Sequence, residues 1–421
     1  MRRSRPAKPA KASPPPGLLR KTVPMDHVDV VTLGLLLFVA CVVAIVTRRL
    51  GWPYTIGLVL AGIGLSVAGY QSRLALTPEL IFTFLLPPLV FEAALHLKWR
   101  RFRESAPLVL SLAFVGTLLS ALVVASGMHW LVGWSWQAAL LFGSLIAATD
   151  PVAVVAMMKE QAADPKLRFI LESESLLNDG AAAVLFTLCA AAIAGQPTDT
   201  ATVVQSLLYI VLGGVACGLA VAAGLLLIAG RSDDHLVELT LTVLAAYGSF
   251  LLAERIHASG VLAAVAAGML VGNAGPGRTL TERGGEALDR FWEFAAFLAN
   301  SIIFLLIGSR EAEQTTGPFL GIAAIAILLV LAGRAVAIYP IAALFSRGRQ
   351  AVDRLTQHIL FWGGLRGALS LALALAAPAS LPEHEALVSV AFAVVAFSLF
   401  VQGATMPWLL RKARNPAPTR H

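Results

Sequence analysis

The chain has 421 residues, of which 57% are hydrophobic and 14% are charged, and its mean hydropathy is +0.77. A soluble globular chain carries about 25% charged residues, so this composition excludes an ordinary soluble fold and predicts an integral membrane protein. The net charge of +7 has the sign that binds nucleic acid, but the basic residues gather in short connections between apolar segments, so no nucleic-acid partner is expected.

A basic tail precedes thirteen apolar segments. Residues 1–26 are rich in Pro, Ala and Lys and lack the apolar core of a signal peptide, so they are predicted to be disordered. Most of the segments have the about 17 to 25 residues that a helix needs to cross a bilayer, and only the ninth is too short to cross unaided. We predict an all-α polytopic domain over residues 27–410 and a short cytoplasmic tail over residues 411–421. The predicted spans, numbered 1 to 13, are 27–47, 51–69, 78–97, 106–128, 136–158, 167–195, 202–229, 236–254, 259–273, 287–309, 317–345, 357–378 and 385–410.

The basic residues predict the orientation of these spans. Of the 32 Lys and Arg residues, 20 lie in or beside the odd-numbered connections and 3 in or beside the even-numbered ones. Because cytoplasmic loops carry the excess of Lys and Arg, the C-terminus is expected on the cytoplasmic side of the cell (inner) membrane. The basic tail would then face outward, against the rule, and a start at Met25 would remove this conflict. We therefore expect Met25 to be the true initiator.

Span 3 carries the first deep acidic residue. Pro87 and Pro88 should kink this helix, and Glu92 lies about one turn beyond them. Charged groups inside a membrane are costly and usually functional. The alternative, that Glu92 lies near a cytoplasmic helix end among basic residues, stays open.

Span 5 contains Thr149, Asp150 and Pro151 in succession. Pro151 removes a backbone donor, so the helix should break there, and a break in mid-membrane exposes carbonyls and helix ends that can coordinate a cation. A simple kink, with Asp150 capping the second half, is the alternative and is compatible with the first role.

Span 6 places four polar side chains on two adjoining helical faces. Ser175 and Asp179 are four residues apart and share one face, while Glu174 and Asn178 share the next. One face therefore presents a hydroxyl and a carboxylate together. A helix cap at a loop is the alternative interpretation.

Spans 11 and 12 hold Arg334 and Arg366, the two basic residues that belong to no loop or tail. Glycines at 363, 364 and 367 surround Arg366 and predict unwound backbone. Span 12 comes seven spans after span 5. Because seven is an odd number, two helices related by this offset cross the membrane in opposite directions. Spans 1–6 and 8–13 are therefore predicted to form an inverted repeat with two broken, crossing helices, which in transporters mark the site at the membrane midplane.

Four stretches together resemble the monovalent cation:proton antiporters, in the bacterial type of their sodium/proton exchanger branch. The resemblance covers residues 27–410. The stretches are Leu86-Pro87-Pro88-x-x-x-Glu92, Thr149-Asp150-Pro151, Glu174-Ser175-Leu176-Leu177-Asn178-Asp179 and Gly363-Gly364-Leu365-Arg366-Gly367.

The resemblance implies an ion site centred on Asp179, whose carboxylate would bind either the cation or the proton. Thr149 and Ser175 would supply further oxygens to Na⁺, while Asp150 and Asn178 would shape the crossing of the unwound helices around the same site. A desolvated carboxylate favours a neutralised state, and a proton and a cation would compete for it.

The resemblance also implies three supporting roles. Glu174 would form a structural ion pair with Arg334, Arg366 would neutralise the negative helix ends at the break, and Glu92 would line a cytoplasmic funnel.

At the level of the whole protein, the resemblance implies a homodimer in which spans 4–6 and 11–13 move as a core against a scaffold of spans 1–3 and 7–10. The Asn178-Asp179 pair implies electroneutral exchange. No enzymatic activity and no cofactor are expected, because the partners are the bilayer, H⁺ and Na⁺, Li⁺ or K⁺. A sodium-coupled organic solute symporter with the same broken helices is the alternative function.

Overall fold

The chain is almost entirely helical in the computed structural model, which describes residues 30–414 except 51, 71–73, 75, 162, 197–198, 231–233, 275–280, 314–316 and 346–351. Within these residues, nine helical stretches are long and apolar enough to cross a membrane and three shorter helices are also apolar. The prediction of an all-α polytopic fold is confirmed. The predicted tail over 1–26 lies outside the described residues.

Consecutive helices are joined by short turns or by π-helical stretches. The π-helical stretches are Leu80–Leu85, Ser111–Gly116, Met128–Val132 and Ser398–Gly403. The α-helices of the described residues are α1 Val30–Leu50, α2 Tyr54–Val67, α3 Leu86–Leu95, α4 Trp99–Leu110, α5 Thr117–Gly127, α6 Trp136–Ala147, α7 Val152–Glu160, α8 Pro165–Ile193, α9 Thr200–Ala229, α10 His235–Arg255, α11 Gly260–Asn273, α12 Glu282–Glu313, α13 Leu320–Leu344, α14 Arg354–Trp362, α15 Ala368–Leu375, α16 His384–Phe397 and α17 Ala404–Arg414.

Helices α4 and α17 are among those that extend beyond their predicted ends. Helix α4 begins at Trp99 rather than at 106, because the side chain of Asn273 in α11 accepts a hydrogen bond from the Trp99 N–H (2.8 Å) and donates one to the carbonyl of Leu97 (2.8 Å). This long-range cap ties the connection to α11. Helix α17 continues to Arg414, so the predicted tail over 411–421 begins within a helix, and 415–421 lie outside the described residues.

The two prolines of span 3 do not interrupt the helix. The chain stays helical through Pro87 and Pro88, and a π-helical stretch comes directly before them. Because Pro88 has no N–H, the carbonyl four residues earlier, at Phe84, lacks its usual donor. The hydroxyl of Tyr247 in α10 donates to that carbonyl at 3.0 Å. A neighbouring helix therefore satisfies the backbone group that the proline leaves free.

The helices pack in two groups. Helices α1–α3 and α9–α12 pack mainly against one another, as do α4–α8 and α13–α17. Helix α8 belongs to the second group but also contacts α3, α9 and α11 of the first. It therefore lies where the two groups meet.

Close contact between α2 and α12 depends on two glycines. A methyl group at Gly62 would overlap the carbonyl oxygen of Leu305, and one at Gly308 would overlap the carbonyl oxygen of Val59. All of these obstacles are backbone atoms, which cannot rotate away. Small residues of this kind allow membrane helices to approach closely.

We expect Gly62→Ala to lower the unfolding temperature in detergent, because the added methyl must push two backbones apart, and such overpacking costs about 1 to 3 kcal/mol. Gly64→Ala is the matched control on the same helix, since nothing lies within 4 Å of its added methyl. It should melt at or above the wild-type temperature, because Ala favours a helix by about 1 kcal/mol over Gly. Equal melting of the two variants would contradict the packing argument.

Candidate functional site

The first break in the helices lies between α6 and α7, where residues 148–151 are not helical. Two side chains of α8 bind Thr149 in this break. Its N–H donates to Asn178 Oδ1 (3.2 Å), and its hydroxyl accepts from Asn178 Nδ2 (2.7 Å) and donates to Ser175 Oγ (3.2 Å). Ser175 Oγ donates in turn to the carbonyl oxygen of Thr149. All three residues are buried, and α8 engages every polar group of Thr149.

Next to this cluster, Glu174 and Arg334 form an ion pair that is joined by two hydrogen bonds. Arg334 donates from both terminal nitrogens to Glu174, at 2.7 Å and 3.0 Å, and also to the carbonyl of Leu360 at 3.0 Å. Glu174 accepts a further bond from Asn178 Nδ2 at 2.9 Å. Arg334 and Glu174 are 6% and 1% exposed, so both charges are removed from water and depend on each other. A continuous network therefore runs from α13 through α8 to the first break.

Because Gly364 has no side chain, its backbone can pack closely against the guanidinium of Arg334. A methyl there would sit 2.5 Å from Nε and 2.9 Å from Cζ of Arg334. Gly364, which the sequence predicts to favour unwound backbone, therefore also leaves room for the ion pair.

The second break separates α14 from α15 over residues 363–367 and contacts the first one. The backbone N–H of Asp150 donates to the carbonyl of Leu365 at 2.7 Å. A side chain at Gly367 would overlap the carboxylate of Asp150. The two interrupted helices therefore meet at this hydrogen bond and at this glycine.

Asp150 binds the first backbone N–H of the helix that follows the first break. Its Oδ1 accepts a hydrogen bond from the N–H of Val152, the first residue of α7, at 3.0 Å. A carboxylate at a helix N-terminus is also favoured by the helix dipole. The N-cap position of α7 is Pro151, so Asp150 lies one residue before the cap position that the sequence allowed it.

Asp179 lies one turn beyond Ser175 on α8 and is half-buried. Within the described part of the chain its carboxylate has no hydrogen bond or ion pair, and its electrostatic neighbours are the carboxylates of Asp150 and Glu174. The next residue, Gly180, packs against Leu262 of α11. This turn of α8 therefore faces the other group of helices.

Arg366 is 1% exposed and belongs to the second break. Its guanidinium donates to the carbonyl of Gly364 at 2.9 Å, and its backbone N–H donates to Ser398 Oγ at 2.8 Å. Its Nε has no hydrogen-bond partner among the described residues. The guanidinium of Arg366 therefore binds a buried backbone carbonyl of the break rather than a carboxylate.

Glu92 lies apart from this cluster, near the end of α3. Its side chain is 26% exposed and its Oε1 is 3.4 Å from His96 Nδ1. Its other charged neighbours include Lys159 in the last turn of α7 and Glu172 in the first third of α8. The structure does not bring Glu92 to Thr149 and Ser175.

Two side chains that contact the second break were missed in the sequence. Ser398 binds the backbone of Arg366, and Gln402 Nε2 donates to the carbonyl of Trp362 at 3.3 Å. Their spacing could have indicated them, because residues four apart lie on one face of a helix and most of this span is apolar. Because both are uncharged, the search for membrane charges passed over them.

The arrangement offers oxygen donors without a metal cluster. No group of three or more His, Cys, Asp or Glu side chains that could hold a metal ion occurs in the described ranges. The oxygens near the first break come from carboxylates, two hydroxyls, the Asn178 amide and backbone carbonyls, and hard cations prefer such ligands. A carboxylate without a partner can also hold a proton.

The sequence and the fold of this chain are similar to those of known proteins. The family model described as "Sodium/hydrogen exchanger, transmembrane" matches residues 35–412. The low-affinity Na⁺/H⁺ antiporter NhaS1 of Synechocystis is 36% identical over 365 residues, covering 85% of this chain and 69% of NhaS1. The Na⁺/H⁺ antiporter NhaH of Halobacillus dabanensis is 30% identical over 399 residues, covering 92% and 98%. The solved structure of the sodium proton antiporter MjNhaP1 from Methanocaldococcus jannaschii at pH 8 has the same fold, with a TM-score of 0.70 at 19% identity over 91% of this chain and 98% of that one.

We expect Glu174→Ala to destabilise the protein, because removing one partner of a buried ion pair leaves the other uncompensated, at a cost of about 3 to 5 kcal/mol. Glu172→Ala is the control from the same helix. Glu172 is 28% exposed and its contact with Arg168 is 3.9 Å long, so its loss should cost less than about 1 kcal/mol. Thermal unfolding in detergent measures both, and an unchanged melting temperature in Glu174→Ala would contradict the importance of the pair.

Proposed function

Because this chain belongs to the sodium/hydrogen exchanger family, we propose that it exchanges a monovalent alkali cation, with Na⁺ as the expected substrate, for H⁺ across the cell (inner) membrane. The observation that carries the proposal is the half-buried carboxylate of Asp179, which has no partner within the described ranges and lies one turn from Ser175, the residue that binds Thr149 in the first break. The relatives are named as antiporters, which favours exchange over sodium-coupled uptake of an organic solute.

Competition at Asp179 would couple the two fluxes. Removing a carboxylate from water disfavours its charged form, and either a proton or a cation can cover that charge. Thr149 and Ser175 would complete the cation site with neutral oxygens, at the expense of the hydrogen bonds that they make to each other. If the core moves only when Asp179 is neutralised, an empty site cannot cross, and exchange becomes obligatory.

The charges around the site support a one-to-one stoichiometry. Glu174, Asp150 and Asp179 are the carboxylates, Arg334 and Arg366 are the cations, and these groups are electrostatically linked. With all five ionised the cluster carries one surplus negative charge, which one Na⁺ or one H⁺ cancels.

Asn178 limits the number of protons. Its amide cannot ionise, and Nδ2 donates to Glu174 at 2.9 Å, where an aspartate would instead meet a second carboxylate. A second titratable carboxylate at this position is therefore disfavoured, which supports an electroneutral cycle.

Alternating access is proposed to move α4–α8 and α13–α17 as a core against a scaffold of α1–α3 and α9–α12. Thirteen membrane spans are proposed: the nine long stretches, the three short helices and the interrupted pair α14 and α15. The spans would form two inverted halves with the C-terminus in the cytoplasm, and the scaffold would pair with a second copy to form a homodimer. Glu92, whose charged neighbours include Lys159 of α7 and Glu172 of α8, would line the cytoplasmic funnel.

We expect Asp179→Asn to abolish Na⁺-dependent proton movement, because an amide can take up neither ligand in exchange for the other. Everted vesicles with a pH-sensitive dye measure this flux. Asp199→Asn is the matched control, since Asp199 caps α9 with a bond to the Thr202 N–H (3.1 Å) and Asn caps a helix equally well. Unfolding temperatures should match the wild type in both variants. Retained exchange in Asp179→Asn would refute the assignment.

The exchange rate should be insensitive to an imposed membrane potential, since a one-for-one cycle moves no net charge. Each uncompensated charge would couple to voltage by about 2.3 kcal/mol per 100 mV. Proteoliposomes with a K⁺ diffusion potential and clamped pH on both sides measure the effect, with a protonophore added as a control for leak. A rate that changes with potential would indicate more than one proton per cation.

A further inference from the structure

The π-helical turn between α16 and α17 lies against the second break and is bonded to its backbone. Ser398 Oγ accepts from the N–H of Arg366 at 2.8 Å, and Gln402 Nε2 donates to the carbonyl of Trp362 at 3.3 Å. One turn on, Thr405 Oγ1 accepts from the indole N–H of Trp362 at 2.8 Å. Ser398 and Gln402 are 1% and 4% exposed. Three polar side chains on one face of this span therefore hold the two edges of the break.

The bonds of Ser398 and Gln402 reach backbone groups that a helix break leaves without partners. The last carbonyls of a helix and the first N–H groups of the next have no intrahelical partner, and each is costly if it stays unpaired in a membrane. Other carbonyls of the break are bound by groups elsewhere in the core: that of Leu360 by Arg334, that of Gly364 by the Arg366 side chain and that of Leu365 by the Asp150 N–H. The carbonyl of Trp362 and the N–H of Arg366 depend on the π-helical turn.

The first break is held in the same manner by the span that follows it. There, Ser175 donates to the carbonyl of Thr149 and Asn178 accepts from its N–H. Each break is thus bound by one hydroxyl and one amide, placed three or four residues apart on the next span. The two sets exchange roles, because in the second break Ser398 accepts and Gln402 donates.

From this correspondence we propose that Ser398 and Gln402 are positioning residues for ion exchange, which hold the second break in the conformation that binds the cation. The proposal rests on the proposed function of the site. Arg366 and Leu365 lie between the two anchored points, and Leu365 bonds directly to the backbone of Asp150. Loosening either anchor therefore shifts both the buried guanidinium and the crossing point of the two breaks. π-helical turns inside α-helices frequently occur at functional sites, as this one does.

The first test compares Na⁺-dependent proton exchange in proteoliposomes. Ser398→Ala leaves the Arg366 N–H buried without an acceptor, so the apparent KM for Na⁺ should rise about tenfold with a smaller change in maximal rate. Gln402→Leu should act in the same direction, and Ser398→Thr, which keeps the hydroxyl, should restore the wild-type KM. Ser120→Ala is the matched control, because this buried hydroxyl has no hydrogen-bond partner within the described residues. A wild-type KM in both Ser398→Ala and Gln402→Leu would overturn the proposal.

Hydrogen–deuterium exchange separates this proposal from the function on which it rests. Ser398→Ala should accelerate deuterium uptake in a peptide covering residues 360–368 and leave a peptide covering 147–152 nearly unchanged. Faster uptake without any change in KM would overturn the proposal, because the bonds would then be structural only. If the wild-type protein moved no protons in response to Na⁺, the proposed function would fail. Unaltered uptake around the second break would independently show that Ser398 does not hold it.

Discussion

The ion pair between Glu174 and Arg334 is the interaction on which the geometry of the site depends. Two charges that are almost fully buried are stabilised by close pairing and by further hydrogen bonds, although Arg334 Nε has no partner among the described residues. Here two hydrogen bonds join them, Asn178 adds a third to the carboxylate, and the carbonyl of Leu360 binds the guanidinium. These bonds fix the positions of α8, α13 and the end of α14 relative to one another. Gly364 completes the arrangement, since any side chain there would displace the guanidinium.

Helix α8 separates this structural carboxylate from the one proposed to bind the transported ions. Glu174 and Asp179 are five residues apart, so they point about 140° away from each other around the helix axis. Glu174 is turned toward α13 in the core and is paired, whereas Asp179 has no partner among the described residues and lies on the turn where Gly180 meets α11. The ion pair thus keeps the helix in place while the second carboxylate stays free to exchange its ligand.

The residues that could be predicted from the sequence are those whose presence in a membrane is costly. Buried charges such as Glu174, Arg334 and Arg366, and the helix-breaking residue Pro151, stand out because lipid penalises a charge or an unpaired backbone group. Partners across the fold could not be predicted in this way. Ser398, Gln402 and Asn273 are uncharged, and their importance depends on which orphaned backbone group lies opposite, which only the packing of distant helices decides. The early start of α4 was missed for that reason, since its cap comes from α11.

The many hydrogen bonds at the two breaks limit how the proposed site could open to each side of the membrane in turn. The first break is bound by α8, and the second by α13, by the π-helical turn and by the Asp150 N–H of the first. Refolding either break during each cycle would leave several of these groups unpaired at once, each at a cost of about 1 to 3 kcal/mol. Contacts between the two groups of helices are different in kind, because α8 meets α11 through small and apolar residues such as Gly180 and Leu262. Sliding of α8 past α11 keeps the bonds at both breaks, and the hydrogen bonds that it must remake include those between Asn273 and the residues at the start of α4. Movement of the intact core past the scaffold is therefore favoured over local unwinding at the proposed ion site.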